Sequence, residues 1–149
     1  MSKKTLASAV RNKIFKKQPV TKQELFNAIL EHLMNQGYKA RNILEGECSF
    51  LASDGSMCAI GCILPKNVLN EISKKSSRTS QCSYVWDYLN NRLDKDKMSF
   101  LFDECSMMNF HDRFMPNKGN QYDYSDLFFR VLENNVKYHN LDFRIDSRA

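Results

Sequence analysis

Residues 47–64 read ECSFLASDGSMCAIGCIL, and their conformation decides the fold class. Glu47 to Ala52 can alternate as a strand, and Ser53-Asp54-Gly55 supplies an Asp-Gly turn. Met57 to Leu64 is then apolar throughout and stops at Pro65. A run this short fits a buried strand or a buried helix, and periodicity alone does not separate them. In either conformation Cys58 and Cys62 share a face. With the turn in place, the segment predicts one small β-hairpin.

The flanking sequence reads as helix. Thr21-Lys22-Gln23-Glu24 fits a capping box. Leu25, Phe26, Ile29, Leu30, Leu33 and Met34 follow at helical spacing, and Gly37 stands where a C-terminal cap belongs. His32 lies beside that apolar face as a boundary residue. After the hairpin, residues 66–81 are rich in serine and lysine and read as a loop or a weak helix end. Further helices are expected at 83–93 (Val85, Trp86, Leu89 and Leu93 inward), 96–113 (Leu101, Cys105 and Met108 on one stripe) and 124–138. The last has Phe128, Leu132 and Val136 inward and Asp123 or Ser125 as cap. Pro116, Asn117 and Gly119 separate these last two. The expected architecture is α+β, a helix-rich single domain of four main helices over residues 21–149, with one small β-hairpin and a basic arm at 1–20.

Size and composition agree with one soluble domain. The chain has 149 residues, 42% hydrophobic and 26% charged. A chain of this length buries roughly two thirds of its unfolded surface. No apolar stretch of about 18 residues offers a membrane span, and no secretory signal pattern opens the sequence. The five cysteines therefore read as free thiols in a reducing compartment.

Charge is unevenly placed. Lys3, Lys4, Arg11, Lys13, Lys16 and Lys17 fall in the first twenty residues without a single acid, leaving 16 basic and 17 acidic residues elsewhere. Three readings fit such a segment: a solvated tail, a nucleic-acid contact through those six cations, or an organelle transit peptide. Leu6, Val10 and Ile14 could line one face of a short helix there. Phe15 is its one aromatic, so no series of stacking rings supports the nucleic-acid reading.

For chemistry, the cysteine spacing contains no Cys-x2-Cys pair, so convergence of Cys48, Cys58, Cys62 and His111 on zinc is a minor reading. No metal and no cofactor are expected. Buried packing is the simpler role for the thiols. A thiol enzyme would need Cys58 as nucleophile, His111 as base and Asp112 as orienting carboxylate. Against that, Asp112 at the end of an apolar stripe fits a structural hydrogen-bonding role. The aromatic-rich final third (Phe110, Phe114, Tyr122, Tyr124, Phe128, Phe129 and Tyr138) holds more rings than one helix face buries, which suits an interface.

Gln36-Gly37, Cys48-Ser49-Phe50, the Gly55 turn, Cys58-Ala59-Ile60-Gly61-Cys62 ending near Pro65, and His111-Asp112 together resemble a family of small bacterial and phage proteins of unsettled activity. The resemblance spans about residues 21–138. It implies a setting, a phage or mobile-element accessory protein acting in the bacterial cytoplasm. Within that setting, small size, the lack of a cofactor motif, a neutral body and a charged arm suit a phage product that binds a host protein and modulates or inhibits it, in host takeover or counter-defence. Phe50 stands where the family usually has Tyr, so no hydroxyl there is essential. The basic arm is not part of the family's pattern. The thiol enzyme and nucleic-acid binding through the arm are the alternatives.

Overall fold

A computed structural model describes residues 5–37, 40, 50–52, 54–75, 77–102, 107, 111 and 126–141. Among them every regular element is helical: α1 (Leu6–Phe15), α2 (Lys22–Gln36), a 3₁₀ turn (Gly61–Ile63), α3 (Lys66–Ser73), α4 (Arg78–Asn90), α5 (Lys95–Phe102) and α6 (Asp126–Tyr138). Met107 and His111 are also helical.

The fold is therefore all-α, and the expected α+β class with its hairpin is corrected. The turn exists, closed by the Ala52 amide on the Ser56 carbonyl (2.8 Å) and the Gly55 amide on the Ala52 carbonyl (2.9 Å). No strand leaves it among the described residues, while Glu47, Cys48 and Ser49 lie outside them. The apolar run coils instead, Cys62 N–H reaching the Cys58 carbonyl and Leu64 N–H that of Gly61. Its side chains from Cys58 to Leu64 are buried on every side. A strand so enclosed needs ladder partners for its backbone, and none stands among the described residues; coiling satisfies those groups locally. Gly61 settles the geometry. A Cβ there would overlap the Phe50 carbonyl oxygen and lie 2.8 Å from its carbon.

α2 has the expected bounds. Thr21 Oγ1 accepts from the Glu24 amide and Glu24 Oε1 from the Thr21 amide, both at 3.0 Å, while Gly37 (φ 80°) ends the helix in the left-handed region. The basic segment folds onto it as α1. Ala7, Val10 and Ile14 are buried, whereas Leu6 is 45% exposed. Steps of four drift by about 40° each on an α-helix, so Leu6 rotates off the stripe that Ala7 continues. Lys13 pairs with Glu24, tying α1 to the α2 cap, and this contact lowers the Glu24 carboxyl from its ordinary value. Arg92, beyond α4, donates to the Ile14 carbonyl (3.1 Å) and the Tyr88 carbonyl (3.2 Å).

Residues 66–81 form more helix than composition suggests. Val68, Leu69 and Ile72 give α3 an apolar stripe, and Ser77, one of the serines that reads as loop, caps α4 by accepting from the Ser80 amide at 3.1 Å. α4 accordingly starts earlier than expected and ends at Asn90. Val85, Leu89 and Leu93 are buried as expected, but Trp86 is 42% exposed and meets Phe102 edge-on at 5.1 Å. α5 ends at Phe102; the remainder of the expected 96–113 helix lies largely outside the described residues, with Cys105, Met108 and the 116–119 break. Leu132 and Val136 of α6 are buried. Asp123, Ser125 and the Phe128 side chain are outside the description.

Two glycine substitutions separate steric from conformational effects. Gly61→Ala should destabilise by about 3 kcal/mol, the upper end of overpacking costs, because only backbone can give way. Gly55→Ala, with open space around it but a φ of 87°, should cost about 1 kcal/mol. Urea unfolding of both variants measures the difference.

Candidate functional site: a polar cleft at the end of α2

The last turns of α2 hold two other segments. Gln36 spans Met57, its Oε1 accepting from the Met57 amide (2.8 Å) and its Nε2 donating to the Met57 carbonyl (3.0 Å). His32 Nε2 lies 3.0 Å from that carbonyl. A carbonyl only accepts, so Nε2 carries the proton and Nδ1 presents a lone pair. One turn back, Glu31 Oε1 accepts from the Leu6 amide at 3.0 Å and so caps α1. Asp54 Oδ1 accepts from the Ser56 amide (2.9 Å) and hydroxyl (2.5 Å).

Between these groups opens a cleft of about 450 Å³ lined by Arg11, Glu31, His32, Asn35, Asp54 and Met57, with Cys62 also on its wall. Burial lowers the His32 pKa from its ordinary value, the Arg11 charge acts in the same sense, and the Met57 carbonyl and Gln36 side chain oppose them. The imidazole is therefore neutral at pH 7.

The residues singled out for catalysis take up backbone bonds. Cys58 is 1% exposed, and its Sγ accepts from the Gly61 amide at 3.3 Å, capping the 3₁₀ turn. The Ser56 hydroxyl donates to Asp54. His111 is fully buried, and its Nε2 accepts from the Ala40 amide at 3.0 Å. That bond occupies the lone pair a general base would use. Asp112 lies outside the described residues. Cys62 donates to the Ala59 carbonyl (3.2 Å), and burial, with Cys58 close by, pushes its thiol well up. Among the described residues no three His, Cys, Asp or Glu side chains gather as metal ligands; Cys48 and Cys105 lie outside them.

The basic residues divide. Lys3 and Lys4 are outside the description. Arg11 is half-buried, Lys13 is paired with Glu24, and Lys16 and Lys17 are exposed. An open groove of about 650 Å³ runs between α1 and the start of α3, with Arg11, Lys13, Phe15 and Lys66 on its walls. Phe15 is 53% exposed. No helix among the described residues is long and apolar enough to cross a membrane.

Sequence reasoning passed over the cleft. The i, i+4 pairs Glu31–Asn35 and His32–Gln36 were its signal, a polar stripe alongside the apolar face of α2. Comparison with protein-family models, curated protein sequences and solved structures finds no match to this chain.

Two measurements follow from these environments. Because the folded His32 pKa lies below that of the unfolded chain, the unfolded state alone takes up this proton as pH falls below about 6.5. The stabilising contribution is full above that pH and is lost on acidification towards the folded value. His32→Gln should flatten the dependence of Tm on pH across this window. Iodoacetamide with peptide mapping should modify half-exposed Cys82 well before Cys58 and Cys62, which should react only on unfolding.

Proposed function

We propose that this chain is a small accessory protein of phage type that works in the bacterial cytoplasm by binding a host protein and modulating it, and not by thiol chemistry. Trp86 carries the reading. It is a large ring on the exposed side of α4, braced against Phe102, while Val85 and Leu89 of the same helix face the core. A rigid, half-exposed tryptophan is the commonest kind of interface anchor, since it buries much area and loses little entropy. The buried Cys58 and Cys62 support the same reading, because a nucleophilic thiol needs access to its substrate.

The test is affinity capture from nuclease-treated bacterial lysate, read by mass spectrometry. One stoichiometric host protein should be retained by the wild type, and Trp86→Ala should reduce its retention at least tenfold, about 1.4 kcal/mol, at unchanged Tm. Equal retention by the variant removes Trp86 from the interface and with it the ground for this reading.

The groove between α1 and α3 favours a second reading, nucleic-acid binding, since Arg11 and Lys66 line it with the exposed Phe15, and the exposed Lys16 and Lys17 follow Phe15 in the chain. Deleting residues 1–20 is a poor test, because Ala7, Val10 and Ile14 belong to the core. Lys16 and Lys17 are exposed, so Lys16→Glu with Lys17→Glu reverses their charge without touching the core. If this reading holds, the pair should weaken single-stranded oligonucleotide binding at least tenfold and make its log-log salt slope shallower by about 1 to 2. Salt-independent or unaltered binding excludes it.

A further inference from the structure

The groove between α1 and α3 is walled by side chains that the fold leaves unused. Asn12 and Phe15 stand one turn apart on α1, away from the core stripe of Ala7, Val10 and Ile14. Gln18 follows them, and Lys66 and Asn67 open α3 across the groove. All of these wall residues are exposed. Among the described residues the three carboxamides make no side-chain hydrogen bond, and Lys66 has no ion pair.

The chemistry of this wall selects its partner. Its described residues include no carboxylate, and Lys13 is already paired with Glu24. α3 begins without a capping side chain and without an acid in its first turn, so the positive end of the helix adds to Lys66. The partner is therefore anionic. Carboxamides carry a donor beside an acceptor and match the edges of nucleobases. Phe15 offers a face on which a base can stack. A duplex hides its base faces and Watson–Crick edges, whereas a single strand presents both. An acidic peptide would meet the lysine but leave the ring without a stacking partner.

The backbone supplies a second observation. α1 ends in a Schellman motif, the Gln18 amide donating to the Lys13 carbonyl (2.8 Å) and the Lys17 amide to the Ile14 carbonyl (3.1 Å). Lys17 takes the left-handed position of that motif, with φ 57°. Glycine is the residue that stability favours there, and a lysine is strained. Lys17 lies between two wall residues, Phe15 and Gln18, and has no ion pair among the described residues. A contact with phosphate accounts for a cation at this strained position.

We propose that the groove seats single-stranded nucleic acid, with one base stacked on Phe15, its edge on the carboxamides of Asn12 and Asn67, and flanking phosphates on Lys17 and Lys66. One ring holds one base, so affinity comes from a single stacked base between phosphate contacts and not from a stacking tract. The proposal rests on the nucleic-acid reading above and adds to it the form of the strand and the residue that grips it. It uses α1 and α3, whereas Trp86 is on α4, so either surface can fail without the other.

The test is fluorescence anisotropy of the full-length chain with a labelled single strand of about 12 nucleotides, over a series of salt concentrations. The same sequence as a duplex, and polyglutamate as a competing polyanion, are the controls. The single strand should bind at least tenfold more tightly than the duplex and resist polyglutamate. Phe15→Ala should weaken binding about tenfold without changing the salt slope, and Phe15→Trp should restore it. Lys17→Gly should weaken binding about threefold and make the slope shallower by about 0.7, while its Tm stays at or above the wild-type value. That opposition of stability and affinity is not expected of a merely structural lysine. If no oligonucleotide binds, the nucleic-acid reading fails and the proposal with it. If the Lys16→Glu, Lys17→Glu pair weakens binding but Phe15→Ala does not, or if duplex or polyglutamate binds equally well, the reading stands or reduces to charge alone and the proposal is overturned. Wild-type affinity in Lys17→Gly overturns it as well.

Discussion

The two hydrogen bonds between the Gln36 side chain and the backbone of Met57 are the constraint on which the rest of the structure hangs. Residue 57 is where the chain turns from the surface loop at Asp54-Gly55 into the core. Its amide and carbonyl have no helix of their own to satisfy them. A buried backbone group left without a partner costs about 1–3 kcal/mol, and Gln36, helped by His32, removes that cost for both. Once Met57 is fixed to the end of α2, the run from Cys58 to Leu64 enters the interior against Val10, Ile29 and Leu33 of the same core. Gly61 then lets that run pass directly against the Phe50 backbone.

α2 was legible because its signals are local. A capping box, an apolar stripe and a terminal glycine each act within a few residues, and nothing tertiary opposes them. The hairpin at 47–64 was misread because alternation and an Asp-Gly turn describe a strand only if a partner exists to complete the ladder. That information is not in the segment. The serines of 66–81 misled in the opposite way: a serine favours a loop in the interior of a pattern and a helix at its edge. Trp86 shows the limit of apolar patterning, since being hydrophobic did not place it inside. The cleft was overlooked because His32 lies beside an apolar face and its significance appears only when Met57, distant in sequence, arrives next to it.

In the folded chain the sequence motifs take on a different meaning. Cys58, Cys62 and His111 look like chemistry when read along the chain, yet each has its sulfur or nitrogen engaged with a main-chain group. Side chains of this kind replace the regular hydrogen bonding that short coiled segments lack, so they are structural where a sheet would have used ladders. The groups that face the surface are instead ordinary types: a guanidinium beside a cleft, Lys66 along a groove, and one indole. Recognition of a partner or a small ligand asks for such groups, whereas catalysis by thiol would require the buried ones to move.

The bond from Arg92 to the Ile14 carbonyl joins positions 78 residues apart. Closing so long a loop is entropically unfavourable and comes after nearer contacts such as those between α1 and α2 have formed. Arg92 is therefore expected to dock late in folding. Contacts made after the rate-limiting step leave the folding rate unchanged and slow unfolding instead. In kinetic terms Arg92 is a latch: it governs how long α1, with the cation facing the cleft and those facing the groove, stays docked once the chain has folded.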